Sequence, residues 1–252
     1  MNIENHKWFS SNLGQDMQLK VYGYFGKPVI VFPAQGGRFY EYEDFKMIDA
    51  IHGFIEAGKI KVFTVDSIDN QSWANYSAHP ADRGRRHEDY DRYITREVVP
   101  FVRQHCGDDS IRSIATGCSM GAYHSANFFF RHPDLFDTVI SLSGLYHLRD
   151  FVGDYMDDNV YFNSPLAYLT GLSDPWYMEQ YKRSQIIICV GKGAWEDAML
   201  ADTRAIKDIL ESKGIPCWID IWGDDVNHDW PWWRKMMPYY LEHLNLTGWS
   251  GA

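Results

Sequence analysis

Seven short runs rich in β-branched and aromatic residues punctuate the chain: "QLKVYGYF" (18–25), "PVIVF" (28–32), "IKVFTVD" (60–66), "IRSIAT" (111–116), "DTVISLSG" (137–144), "QIIICVG" (185–191) and "PCWIDIW" (216–222). Such runs predict strands. Several are apolar almost throughout, the habit of strands buried on both faces of a parallel sheet. Between them, apolar residues recur at three and four positions over about 42–57, 87–105, 120–131, 198–213 and 232–244, which predicts helices. The alternation implies an α/β fold: a mostly parallel central sheet with helices on both faces, joined by right-handed crossovers.

Two connections break that rhythm, at about 67–86 and 145–184. Loops of this length in a compact domain are functional or mobile, and their aromatics, among them Trp73, Tyr76, Tyr146, Tyr155, Tyr161 and Phe162, are candidates for pocket walls or for packing onto the sheet. No internal repeat, low-complexity tract or linker divides the chain, so a single domain over 1–252 carrying two long inserted loops is expected. Its 252 residues, 45% hydrophobic, suffice for one substantial core.

Charge narrows the partners. With 24 basic against 34 acidic side chains the net charge is −10, so the general surface repels phosphate backbones and anionic lipid. Neither nucleic acid nor membrane is an expected partner, and no run approaches the roughly 20 apolar residues that cross a bilayer. The four cysteines, at 106, 118, 189 and 217, have neither zinc-site spacing nor the pattern of a disulfide scaffold. The first residues, "MNIENHKWFSSNLGQDMQ", lack the apolar core of a secretory signal. Reduced thiols and a cytoplasmic location are the expectation.

The chemistry concentrates in "SIATGCSMGAYHS", residues 113–125. A G-x-S-x-G pentapeptide arises by chance in a chain this long about one time in ten. A strand before it and a helix after it remove most such coincidences, because a nucleophile elbow requires that context. Gly117 and Gly121 then make room for a sharp turn that pushes the Ser119 hydroxyl into the open. Cys118 must point elsewhere and reads as a buried filler. His124, more than a helical turn beyond Ser119, reads as structural.

A serine nucleophile needs a base, and the base needs an orienting carboxylate. In a fold of this kind they follow in the order Ser, acid, His, each just past a late strand. After "QIIICVG" come Glu196 and Asp197, and after "CWIDIW" comes His228 in "GDDVNHDWPWW". The only other histidine beyond those acids, His243, lies inside the last predicted helix. Two amides are candidates for binding the developing oxyanion: that of Met120, directly after the nucleophile, and that of Gln35 in the glycine-rich loop after "PVIVF". "DDVNHD" (224–229) is rich in metal-ligand types, yet no second histidine or cysteine cluster accompanies it. It reads as a solvated acidic loop, and the scheme calls for no metal and no cofactor.

These segments together resemble the esterase D-like branch of the α/β-hydrolases, which includes feruloyl esterases and bacterial mycolyltransferases. The carriers are "PVIVFPAQGG", "GCSMGAYHSANFFFRHPDLFDTVISLSG", "GKGAWEDAMLADTRAIKDIL" and "NHDWPWW". The resemblance implies an α/β-hydrolase fold and favours Glu196 over Asp197 as the acid. Relatives commonly read "HG" in the oxyanion loop, where this chain has "PA" at 33 and 34. The expected activity is hydrolysis of small or medium carboxylic esters, aromatic ones included, with Trp73 and Trp230 as candidate substrate walls. Acyl transfer by the same residues and a non-catalytic binding module on the same scaffold are the alternatives.

Overall fold

The sheet runs in the order β1-β2-β4-β3-β5-β6-β7-β8, in a computed structural model that describes residues 1–246. The last six residues of the domain expected over 1–252 lie outside the described residues. Strands β1 (Ile3–Ser10) and β2 (Gln15–Tyr22) form an antiparallel hairpin, and β2 also runs antiparallel to β4 (Ile60–Val65). The remaining strands, β3 (Lys27–Phe32), β5 (Ser113–Cys118), β6 (Phe136–Leu142), β7 (Gln185–Val190) and β8 (Trp218–Ile221), pair in parallel.

Alternation along the strands divides the core in two. Ile30, Phe32, Phe63, Val65, Ala115, Val139, Ile186 and Ile188 face one side, where they meet α3 (Pro80–Tyr93), α4 (Val99–Cys106), α5 (Met120–Arg131) and α10 (Asp197–Ser212). Val29, Val31, Ile60, Val62, Ile114, Ile140, Leu142 and Ile187 face the other, covered by α1 (Glu41–Asp44), α2 (Met47–Glu56) and α11 (Trp230–His243). Burial on both faces is why these strands read as unbroken apolar runs. Phe32 stacks on Phe128 of α5 at 4.9 Å, which fixes the helix that follows Ser119 over the end of β3.

Three features depart from the sequence expectation. The edge strand β1 was not among the seven expected runs. Its inward residues include Trp8 and Ser10, held by Glu97, which accepts hydrogen bonds from Trp8 Nε1 and Ser10 Oγ, both at 2.8 Å. Glu97 lies in a π-turn, Ile94–Val98, just before Pro100, where the missing proline N–H interrupts the regular ladder. Secondly, α3 begins at Pro80 rather than near 87, with His79 Nδ1 accepting from the Ala81 amide at 3.2 Å, so the connection expected over 67–86 ends at 79. Thirdly, 145–184 is not one open loop. It winds through four short helices, α6 (Arg149–Val152), α7 (Asp158–Phe162), α8 (Pro165–Gly171) and α9 (Pro175–Lys182). Among the described residues no helix is long and apolar enough to cross a membrane.

Candidate active site

The turn from β5 into α5 is forced by crowding between backbones. A Cβ on Gly121 would lie 2.2 Å from the Phe32 carbonyl oxygen, and one on Gly117 would lie 2.5 Å from the Gly121 carbonyl carbon. No side chain fits at either position. Ser119, between them, takes φ 57° and ψ −118°, a conformation that costs on the order of 1–3 kcal/mol for a non-glycine residue and that clusters at functional sites. Its amide donates to the Leu142 carbonyl at 3.0 Å, locking the turn onto β6.

The hydroxyl projected by that turn meets an imidazole. Ser119 Oγ lies 2.9 Å from His228 Nε2, and His228 Nδ1 lies 3.2 Å from Glu196 Oε2. Glu196 is fully buried, whereas Asp197, one residue on, opens α10 and is exposed. The other oxygen of Glu196 accepts from Ser143 Oγ at 2.6 Å, and Ser143 Oγ in turn accepts from Trp233 Nε1 at 3.0 Å. The Trp233 and His228 rings also stand perpendicular to each other with centroids 4.9 Å apart. Ser143 and Trp233 therefore hold the acid and the imidazole from behind, and sequence reasoning assigned them no role.

Two loops must converge for this contact, and the chain fastens them to each other. The Gly193 amide donates to the Val226 carbonyl at 2.9 Å, the Ala194 amide to Asn227 Oδ1 at 2.8 Å, and the His228 amide back to the Ala194 carbonyl at 3.0 Å. Gly191 and Gly193 pack so closely on Val226 and Asn227 that a Cβ would fall within 2.3 Å of them. The acid-bearing loop and the histidine-bearing loop thus form one unit. In "DDVNHD", Asp224 pairs with Lys192 at 3.0 Å, and Asp229 caps α11 by accepting from the Trp230 amide at 2.7 Å.

The other residues of the elbow segment go elsewhere. The Cys118 thiol is buried beneath the turn, 3.8 Å from the Tyr42 hydroxyl, and burial pushes its pKa far up. A neutral thiol facing the core is no nucleophile. His124 Nε2 contacts Asp69 Oδ1 at 2.8 Å, both groups being buried, and so ties α5 to the turn at Asp69–Gln71.

Beside Ser119 opens a cavity of about 130 Å³, lined by Gln35, Met120, Tyr123, Ser143, Leu145, Phe151 and Met199. Both candidate oxyanion residues, Met120 and Gln35, border it. The loop carrying Gln35 is clamped from two sides. The Ala34 amide donates to Glu41 Oε2 at 2.7 Å, and the Glu41 carboxyl fills the space where a Gly37 side chain would be. Arg38 forks onto Asp66 at 2.6 and 2.8 Å. Burial pushes the Glu41 pKa up from 4.5 to about 7, against the lowering effect of the Ala34 amide. Glu41 also escaped the sequence reading, because nothing in "YEYEDF" distinguishes a clamp from surface charge.

Trp73 and Trp230, expected as substrate walls, do not line this cavity. Trp73 is fully buried and packs behind the wall against Met120, Tyr123, Leu148 and Val160. Trp230 stacks on Phe45 at 4.6 Å and meets Trp233 edge-on at 5.2 Å, so it supports the site through Trp233. A tryptophan, whether in a connection like Trp73 or opening a helix like Trp230, carries enough apolar area to be drawn into the core, and the walls fall instead to Tyr123, Leu145, Phe151 and Met199.

Comparison with known proteins identifies the family and the fold. The family model described as "Putative esterase" matches residues 10–244. No curated protein matches the sequence. Among solved structures, a ferulic acid esterase is similar with a TM-score of 0.76 at 16% identity, over 96% of this chain and 97% of its own. S-formylglutathione hydrolase from Staphylococcus aureus has a TM-score of 0.69 at 16% identity, over 96% and 95%. MPT51 from Mycobacterium tuberculosis has 0.69 at 15%, over 96% and 97%. At these identities the likeness establishes the α/β-hydrolase fold.

Proposed function

The chain belongs to the Putative esterase family and is an ester-cleaving serine hydrolase, and from that premise we propose that it releases small carboxylic acids through an acyl-enzyme on Ser119. The observation that carries this reading is the unbroken line from Ser119 Oγ through His228 to Glu196, at 2.9 and 3.2 Å. In the first half-reaction His228 Nε2 takes the hydroxyl proton while Oγ attacks the ester carbonyl. The negative charge developing on the carbonyl oxygen is met by the Met120 and Gln35 amides. Collapse expels the alcohol, which leaves with the proton returned by His228. Water then repeats the sequence on the acyl-enzyme, and the acid departs. Glu196 holds the imidazole in the tautomer that presents Nε2 to the serine and stabilises the imidazolium between transfers.

The size of the cavity argues for a short acyl group. An apolar cavity of roughly 150 Å³ accepts benzene, so about 130 Å³ bounded by Met120, Tyr123, Leu145, Phe151 and Met199 suits acyl groups of a few carbons and excludes long chains. The test is intact-mass measurement after exposure to a fluorophosphonate, followed by a panel of nitrophenyl esters of rising acyl length. The expected result is a single adduct that maps to Ser119 and turnover that peaks at short acyl chains, with free acid released in the absence of any other acceptor. No adduct, or an adduct elsewhere, overturns the nucleophile assignment. A long-chain optimum overturns the acyl-size reading alone.

A further inference from the structure

At the outer edge of the sheet, three side chains aim their donor atoms at one place. Glu4 and His6 lie two residues apart on β1 and so share its inward face, while His105 lies in the last turn of α4. Glu4 Oε2 is 3.1 Å from Nε2 of His6 and 3.0 Å from Nε2 of His105, and the three donor atoms lie within 4.8 Å of one another. One carboxylate oxygen thus faces two imidazole nitrogens at once. A tetrahedral ion bonded at about 2.0–2.1 Å to nitrogen and oxygen ligands holds those ligand atoms roughly 3.3 Å apart, a few tenths of an ångström wider than the two glutamate–histidine edges.

The frame around the three donors is already fixed. Glu4 Oε1 accepts from Asn2 Nδ2 at 2.7 Å, which orients the carboxylate. His105 packs against Phe63 at 5.7 Å and Phe101 at 5.4 Å, and His6 stands perpendicular to it at 5.7 Å. Further along, Glu97 binds Trp8 and Ser10 of the same strand face, so β1 cannot slide relative to the helix. These contacts prepay much of the ordering that ligation demands.

We propose that Glu4, His6 and His105 form a binding site for a divalent transition-metal ion of the zinc class, with water in the fourth position. Two imidazoles and a carboxylate select zinc, cobalt or nickel over magnesium or calcium, which prefer all-oxygen shells. In the sheet order β1 stands four strands from β5, about 19 Å at the usual strand spacing, so the ion takes no part in the ester chemistry. Its effect is to staple the N-terminal edge strand to a helix 101 residues away in sequence. The site is not optimised. His105 Nδ1 is buried without a partner among the described residues, so the ring lacks the outer-shell acceptor that most metal-bound histidines have. That absence costs about 10–100-fold in affinity relative to a fully supported site.

The experiment titrates zinc calorimetrically into chelator-treated full-length protein and records the visible spectrum of the cobalt-loaded form. Expected are one ion per chain, the intense cobalt bands of a low-symmetry four-coordinate site, and a melting temperature that rises with zinc. His6→Ala and His105→Ala should each weaken binding at least tenfold, while His52→Ala, which removes an exposed histidine paired with Glu56 on α2, should leave it unchanged. If the alanine variants fail to fold, Glu4→Gln serves instead, since it keeps the shape and removes the anionic ligand. Failure of the wild-type protein to bind zinc or to show the cobalt bands overturns the proposal. So does binding that survives the loss of both histidines, and binding that disappears only in His228→Ala, which would place the ion at the reaction centre.

Discussion

Ser119, the proposed nucleophile, stands between two supports built on opposite principles. On the elbow side the backbone is held by backbone: Gly117 and Gly121 lie so close to each other and to the Phe32 carbonyl that the chain has one way to pass. On the other side, loop 33–38, which carries Gln35, is held by ionisable side chains, Glu41 on the Ala34 amide and Arg38 on Asp66. Steric support is all-or-none and indifferent to pH. Electrostatic support is graded and, where a carboxyl is buried, titratable. The first kind therefore positions the atom that must not move, and the second positions a loop whose grip varies with protonation.

The largest effect tests the fixed side directly. Ser119→Ala should leave the circular-dichroism spectrum unchanged and lower kcat for a nitrophenyl ester by about four to six orders of magnitude, since the members of such a set act as a unit. Near-normal turnover would remove Ser119 from the mechanism. Next comes the acid. Glu196→Gln keeps the shape of the buried group and loses its charge, so kcat should fall by about 10⁴ with little change in KM. Asp197→Asn, on an exposed neighbour, should stay close to wild type. The reverse pattern would move the orienting role one residue along the chain.

A third change breaks the steric support itself. Gly121→Ala puts a methyl group 2.2 Å from the Phe32 oxygen, and neither backbone can yield without disturbing the sheet. Overpacking of this kind costs on the order of 3 kcal/mol. Urea unfolding should show that loss together with a fall in kcat, as the elbow opens and Ser119 leaves His228. A variant as stable and as active as the wild type would mean that the crowding is relieved by small shifts and does not set the turn.

The same contrast explains what could be read from the sequence. Steric demands leave glycines at fixed spacing, so the elbow was legible, and the parallel strands were legible because burial on both faces leaves unbroken apolar runs. Ser119, His228 and Glu196 followed from chain order and family spacing. Strand β1 was hidden because its pattern is inverted: Glu4, His6 and Ser10 turn inward, whereas Ile3 and Phe9 are 44% and 64% exposed. A search for apolar alternation looks for the opposite. Ser143, Trp233 and Glu41 were hidden for another reason. Ser143 and Trp233 act across the fold, through partners 53 and 90 residues away, and Glu41 reaches back 7 residues to a backbone amide, and a single serine, tryptophan or glutamate carries no local mark of such a contact. Trp73 and Trp230 misled because aromatic residues near a site serve packing as readily as binding.

The smallest effect belongs to Glu41, and its sign follows from burial. Its pKa is about 7 in the folded chain against 4.5 for an unperturbed glutamate, so between those values the native state keeps a proton that the unfolded state has already released. Stability must then fall as pH rises through that window and level off above it, because the unfolded chain gains an exposed carboxylate while the native chain must finally bury one. The shift corresponds to at most about 3 kcal/mol. Above pH 7 the ionised group binds the Ala34 amide more strongly, since hydrogen bonds to charged acceptors are the stronger class, but the desolvation that raised the pKa outweighs that gain. Glu41→Gln removes the titration and keeps an oxygen for the amide. Urea unfolding of the two proteins should therefore give equal stability near pH 4 and a growing advantage for the variant up to pH 8, with kcat at pH 8 changed several-fold at most as the loop is held by a neutral acceptor. Parallel stability curves for the two proteins across that range would mean that Glu41 titrates as a surface carboxylate and holds the Ala34 amide as a charged acceptor at every pH in the window.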